Sequence, residues 1–163
     1  MDVIQTFDFD SVLDMKWGWI SNLPVLAVAD ASGCVSFYKI ESKDGKDSLI
    51  MIDSLKISDG LPLALDFCKT EKRLSVNDSR GRVSLMDVQA MEVTRVFDGH
   101  SFEAWTTCFS HWDPNVLFSG VDDSSFRQYD LRLEDNLPSK SNSKTHGTRS
   151  RSGSCTVGAA TML

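Results

Sequence analysis

No apolar run in the sequence approaches the roughly 20 residues that a helix needs to span a bilayer, which argues against a membrane protein. The first ten residues, MDVIQTFDFD, have neither a basic start nor a long apolar stretch, so a secretory signal is not expected. Cysteine is sparse and scattered. Cys34, Cys68, Cys108 and Cys155 form no Cys-x-x-Cys pair, and the 3 histidines are equally dispersed, so the spacing of a zinc site is missing and no metal is expected. Without a signal sequence the thiols are expected to be reduced and the protein cytoplasmic. Three of them, Cys34, Cys68 and Cys108, lie in or beside apolar strand patterns, where a thiol acts as a small hydrophobe. A basic surplus is also lacking. The formal charge is −6, and the excess of acid lies before residue 134, because Glu134 and Asp135 face Lys140, Lys144, Arg149 and Arg151 beyond it. That balance argues against nucleic-acid binding, which needs cationic surface to displace counterions. Sustained helical periodicity is absent too.

What is present is a repeat. Three segments share one layout: "VLDMKW" then "VLAVADASGCVSFYK", "ALDFCK" then "RLSVNDSRGRVSLMD", and "TTCFSHW" then "VLFSGVDDSSFRQYD". Each holds an alternating strand, a break, an apolar strand, an Asp-containing turn and a further alternating strand. Tyr38, Met86 and Tyr129 register the units at intervals of 48 and 43 residues, and Gly33, Gly81 and Ser124 each stand five residues earlier. Those turn positions suit residues that tolerate positive φ. A fourth strand is expected in "SLIMIDSLKI" for the first unit and "EVTRVF" for the second.

Four strands at a period near 43 resemble the WD-repeat β-propeller blade. The third unit carries the fuller signature, Gly99-His100 followed by Tyr129-Asp130, whereas the first two lack Gly-His. The expected fold is all-β: an incomplete WD-repeat propeller in residues 1–133, with units at about 8–52, 53–97 and 98–133. Propellers close with about four to eight blades, so three units are expected to be part of a larger ring. Residues 134–163 are rich in Ser, Lys, Arg and Gly, lack a strand pattern, and are expected to be disordered.

The runs "VLDMKW", "LAVADASG", "HSFEAW" and "SGVDD…YDLR" resemble one WD-repeat family. It is the diphthine methyl ester hydrolase family of diphthamide biosynthesis, also called diphthine methyltransferase or methylated diphthine methylhydrolase. The resemblance covers roughly residues 8 to 133, and full-length members are about twice as long. It implies a hydrolase without a cofactor that removes a methyl ester from a modified histidine of translation elongation factor two, giving diphthine and methanol. With the ring incomplete, that activity is expected to be crippled in this chain.

The residues permit two accounts of His100. As a strut it would bond Asp122 or Asp123 in the hairpin turn and extend through Ser119, pinning its loop to the blade. As a reactive group it would act on water. "GHSFE" matches the serine-hydrolase elbow only in part, because Glu103 stands where the final glycine must let the chain turn. Water activated by a carboxylate or imidazole remains. Glu103 is the first choice as general base and His100 the second, against the plainer reading of Glu103 as a solvated or capping carboxylate. The substrate implied by the resemblance carries a trimethylammonium group. An aromatic face at Trp105 would hold it, with Asp122 and Asp123 adding attraction. The bland reading makes Trp105 a packed strand residue. A non-catalytic scaffold that binds other proteins, or an inert chain without a stable fold, are the alternatives to the enzyme.

Overall fold

The structure is a computed structural model that describes residues 5–122 and 124–133, together with the backbone of Lys140–Ser143. Its twelve strands form three antiparallel sheets. The first holds β1 (Val12–Ile20), β2 (Leu23–Asp30), β3 (Cys34–Lys43) and β4 (Lys46–Lys56), in that order. The second holds β5 (Pro62–Phe67), β6 (Arg73–Asp78), β7 (Arg82–Asp87) and β8 (Glu92–Asp98). The third holds β9 (Ala104–Phe109), β10 (Val116–Val121), β11 (Ser125–Asp130) and β12 (Lys140–Ser143). Three such four-stranded sheets are the three expected blades.

The shared turns follow from backbone sterics. Gly33, Gly81 and Ser124 have φ of 88°, 77° and 62°. Each donates its N–H to the carbonyl three residues back, on Asp30 at 3.2 Å, Asp78 at 3.0 Å and Val121 at 3.2 Å. Glycine enters this left-handed region freely, whereas Ser124 bears a steric cost of about 1–2 kcal/mol there. In the first two turns a buried carboxylate adds local bonds: Asp30 accepts the Ser32 N–H at 2.8 Å, and Asp78 accepts those of Arg80 and Arg82 at 2.9 and 3.0 Å.

The registering residues also occupy one place in each sheet. Tyr38 pairs with Leu26, Met86 with Leu74 and Tyr129 with Leu117. In the second and third sheets this pair lies on the face turned toward the preceding sheet. Met86 and Leu74 therefore meet Val25, Ala27, Val35 and Phe37 of the first sheet. Tyr129 and Leu117 meet Val83, Leu85 and Phe97 of the second. The core thus lies between sheets, and burying one such aliphatic or aromatic side chain contributes about 1.5–3 kcal/mol. Tyr38 has no preceding sheet among the described residues. The rings of Phe7 and Phe9 pack on it instead, with centroids 5.1 and 6.2 Å away.

The first strands β1, β5 and β9 lie side by side along one inner edge. Carboxylates join them. Asp14 Oδ2 accepts the Leu65 N–H at 2.8 Å, and Asp66 Oδ2 accepts the Phe109 N–H at 2.7 Å.

Two features differ from the sequence reading. The expected fourth strands exist as β4 and β8, but β4 runs to Lys56, past the boundary drawn at residue 52. Its pairing with β3 continues to Cys34–Lys56, so the whole hairpin belongs to one blade. The segment expected to be disordered contains β12, which pairs Lys140–Ser143 with Ser125–Gln128. The outer edge of β11 needs a backbone partner, and a strand there can satisfy it without an apolar sequence. The rest of 134–163 lies outside the described residues.

Gly18 tests the packing of the first two blades. A Cβ at this position would fall 2.3–2.5 Å from ring atoms of Phe67. Gly18→Ala is expected to lower stability by about 1–3 kcal/mol through overpacking, read as a lower denaturation midpoint. An unchanged midpoint would show that the Phe67 ring can move aside.

Candidate functional site

The connection between β8 and β9 carries Gly99, His100, Glu103 and the approach to Trp105. It is fixed from below by the second blade, since Gly81 O accepts the His100 N–H at 3.2 Å. The approach is close enough that a Cβ on Gly81 would meet the Phe102 and His100 carbonyl oxygens at 2.5 and 2.6 Å. The Gly-His pair has its own steric cause. A Cβ on Gly99 would fall 2.1 Å from the Tyr129 hydroxyl, so a side chain there would exclude the tyrosine.

The imidazole that follows is part of a polar cluster. His100 Nε2 lies 2.5 Å from Ser119 Oγ, and the Tyr129 hydroxyl stands 3.5 Å from both atoms. Ser119 and Tyr129 are buried. Burial pushes the Tyr129 phenol above its ordinary range, with the Ser119 hydrogen bond and Arg127 opposing. It therefore serves as a neutral hydroxyl. A polar cluster in such a place rigidifies its loop, which is the strut arrangement expected for His100 through Ser119. Of the two turn acids expected to bond His100, Asp122 is exposed and lines the concavity that holds Trp105, and Asp123 lies outside the described residues.

Trp105 and Asp122 are brought together elsewhere in the same blade. They line one open concavity of about 610 Å³ with Thr106, Gly120, Ser124 and Ser125. Trp105 is 53% exposed, so the reading of a packed strand residue does not describe it. Asp122 is exposed as well. An uncovered indole beside a carboxylate can hold a cation. Glu103 is exposed immediately before β9, two residues from Trp105.

Sequence reasoning passed over Asp66. It lines two concavities along the inner edge, one of about 350 Å³ with Lys16, Thr107, Cys108 and Ser119, and one of about 460 Å³ with Lys16, Trp19 and Lys69. Burial pushes its carboxyl above the ordinary range. The Phe109 N–H, Lys16 and Lys69 pull the other way, and Asp14 adds to the rise. The signal was visible as a recurring Leu-Asp pair, Leu13-Asp14 and Leu65-Asp66, in strands otherwise read by their apolar residues. Among the described residues no group of three His, Cys, Asp or Glu is placed to hold a metal ion.

Two substitutions separate these roles. His100→Ala removes one partner of the buried cluster and is expected to cost about 1–3 kcal/mol. An unchanged unfolding midpoint would place the imidazole outside the strut. Asp66→Asn keeps an oxygen acceptor for Phe109. Because folding raises the aspartate pKa, the charged form is disfavoured in the native state, and stability falls as pH rises through the folded-state value. The variant should therefore be more stable than the parent at neutral pH, with the gap closing below about pH 4, where both states hold the proton. A constant gap across that range would refute the assignment.

No protein-family model matches the chain. It is 36% identical over 126 residues to diphthine methyltransferase of Schizosaccharomyces pombe, a match covering 76% of this chain and 37% of that protein. It is 30% identical over 145 residues to diphthine methyltransferase of Homo sapiens, covering 80% of this chain and 32% of that protein. The chain thus spans about a third of the length of the curated relatives it matches. Among solved structures, a chain of the mitotic checkpoint complex superposes with a TM-score of 0.66 at 21% identity, over 81% of this chain and 37% of that one. That likeness concerns the fold alone, which is an incomplete WD-repeat β-propeller. In sequence, the chain is a relative of the diphthine methyltransferases over more than three quarters of its length.

Proposed function

We propose that this chain serves diphthamide biosynthesis as part of a hydrolase that cleaves the methyl ester of methylated diphthine on elongation factor two. The observation that carries this reading is the sequence relation to proteins named diphthine methyltransferase in a yeast and a mammal. The concavity shared by Trp105 and Asp122 supports it, because an exposed indole face and a carboxylate suit a trimethylammonium group.

In the proposed step, water adds to the ester carbonyl carbon while Glu103 takes its proton. The tetrahedral intermediate collapses, breaking the bond to the methoxy oxygen, and that oxygen receives the proton and leaves as methanol. Glu103 suits the role of base better than His100, since its carboxylate is exposed whereas His100 Nε2 faces Ser119. The second reading is a non-catalytic scaffold, which the strut geometry of His100 favours.

The assay is methanol release from methyl-esterified elongation factor two, with this chain and the longer S. pombe relative compared at equal concentration. Turnover is expected from both, slower here because a site must be held within about half an ångström by its surroundings and much of the ring is absent from the described blades. Glu103→Gln should reduce turnover by about 10²–10⁴-fold at unchanged melting temperature, and Trp105→Ala should raise KM. A folded chain that releases no methanol would favour the scaffold.

A further inference from the structure

We propose that Phe102 sets the specificity of this site by gripping the polypeptide that carries the ester, so that a protein-borne methyl ester is preferred to a free small one. This rests on the hydrolase reading above and names how its protein substrate is held. The chain builds the same connection twice, once between the first and second blades and once between the second and third. In each, the turn glycine of the earlier blade lies beneath two carbonyl oxygens. A Cβ on Gly33 would meet those of Ser58 and Gly60 at 2.6 and 3.3 Å, and a Cβ on Gly81 those of His100 and Phe102 at 2.6 and 2.5 Å. Ser58 therefore corresponds to His100, and Gly60 to Phe102. The following strands agree, since Gly60 stands two residues before Pro62 and Phe102 two before Ala104. Pro62 and Ala104 pair in turn with Asp78 and Val121, the residues that open the Gly81 and Ser124 turns.

The two connections share their ties and differ in what they expose. Ser58 is buried, and its hydroxyl accepts the Gly60 N–H at 2.8 Å and donates to the Gly60 carbonyl at 3.1 Å. His100 ties the other connection through Ser119. Gly60 is buried, and a Cβ there would meet Ser79 Oγ, Arg80 Cγ and Ser58 Oγ at 3.1, 3.2 and 3.3 Å. One connection is thus built around an enclosed glycine, while in the other the phenylalanine at the same place is 59% exposed. The fold has no need of the ring. Nor does its exposure belong to the outward face of an end blade, because Phe102 stands over the Gly81 turn, between two blades that are both described.

The backbone of Phe102 is held on both sides, by the His100 N–H bond to Gly81 O at 3.2 Å and by Ala104, which is fully buried. Glu103 is the next residue. Trp105 is the bulged residue of β9, because the pairing steps from Ala104–Val121 to Thr106–Gly120, and a bulge re-aims a side chain. Phe102, Glu103 and Trp105 are therefore exposed side chains set around one buried alanine. Trp105 and Asp122 line the concavity, and Phe102 is not among the described residues that do. With the cation held at Trp105 and Asp122 and the ester at Glu103, the Phe102 ring is left to what lies beyond the modified side chain. In the proposed substrate that is polypeptide. An aromatic ring on a fixed backbone loses little freedom on binding, and a few such anchors carry most of the energy of a protein contact.

The experiment compares kcat/KM for methyl-esterified elongation factor two with kcat/KM for the methyl ester of glycine betaine, a small ester bearing a trimethylammonium group. Phe102→Ala should lower the ratio of the first to the second by at least about tenfold, at the melting temperature of the unmodified chain. Trp105→Ala should lower both values together and keep the ratio. A ratio that Phe102→Ala does not change would overturn the inference while the hydrolase reading stands. Binding of the esterified factor, measured by biolayer interferometry, decides the matter where either ester is not turned over. Binding about tenfold weaker in Phe102→Ala would sustain the role of Phe102 even if the absence of methanol removed the hydrolase reading. Equal binding by variant and parent, or no binding by either, would overturn it. If Phe102→Ala melts lower than the parent, Phe102→Gly gives the same test with the residue that the first connection has at this place.

Discussion

A four-stranded sheet cannot bury either of its own faces, and the rest of this structure depends on that constraint. The apolar residues of each blade become a core only when another blade is laid against them. Val25, Ala27 and Phe37 are buried because Leu74 and Met86 cover them, and Val83 and Leu85 because Leu117 and Tyr129 do. Among the described residues, the middle blade has another blade against both faces and each of its neighbours has one against a single face. Cooperative stability in such an array is a sum of blade and interface contributions. The inner-edge carboxylates add direction to the stacking, since each fixes a backbone N–H of the following blade.

The same constraint shapes the Gly-His connection. The loop between the second and third blades must cross from one sheet to the next while keeping its polar groups satisfied. It does so by bonding His100 N–H to the Gly81 turn beneath and the His100 ring to Ser119 within the third blade. Gly99 leaves room for the Tyr129 hydroxyl to approach that ring. The signature residues thus explain one another sterically. This makes His100 a structural member first, and it moves the search for chemistry to exposed groups near Trp105 and to the inner edge at Asp66.

Much of the fold was legible in the sequence because its strongest local signals are backbone ones. Positive φ at the three turns demands Gly or a tolerant residue, and in β6 the apolar Leu74 and Val76 alternate with the polar Ser75 and Asn77 although all four are buried. Outer strands were harder to read. β12 meets a backbone edge, so composition carries little information about it. At the site, the His100–Ser119 pairing was legible from the repeat, whereas the role of Asp66 depends on Phe109, 43 residues away in the next blade. Only the folded arrangement turns that acid inward. The exposure of Trp105 was not legible either, because an aromatic in a strand reads as core until its neighbours are known.

Native-state hydrogen exchange tests the claim that stability resides between the blades. If inter-blade burial sets the stability of each sheet, the amides of β6 and β7 in the doubly covered middle blade exchange most slowly. Protection then falls toward β2 and β3 on one side and β10 and β11 on the other. Protection that is equal in all three sheets, or greatest in an outer one, would contradict the account.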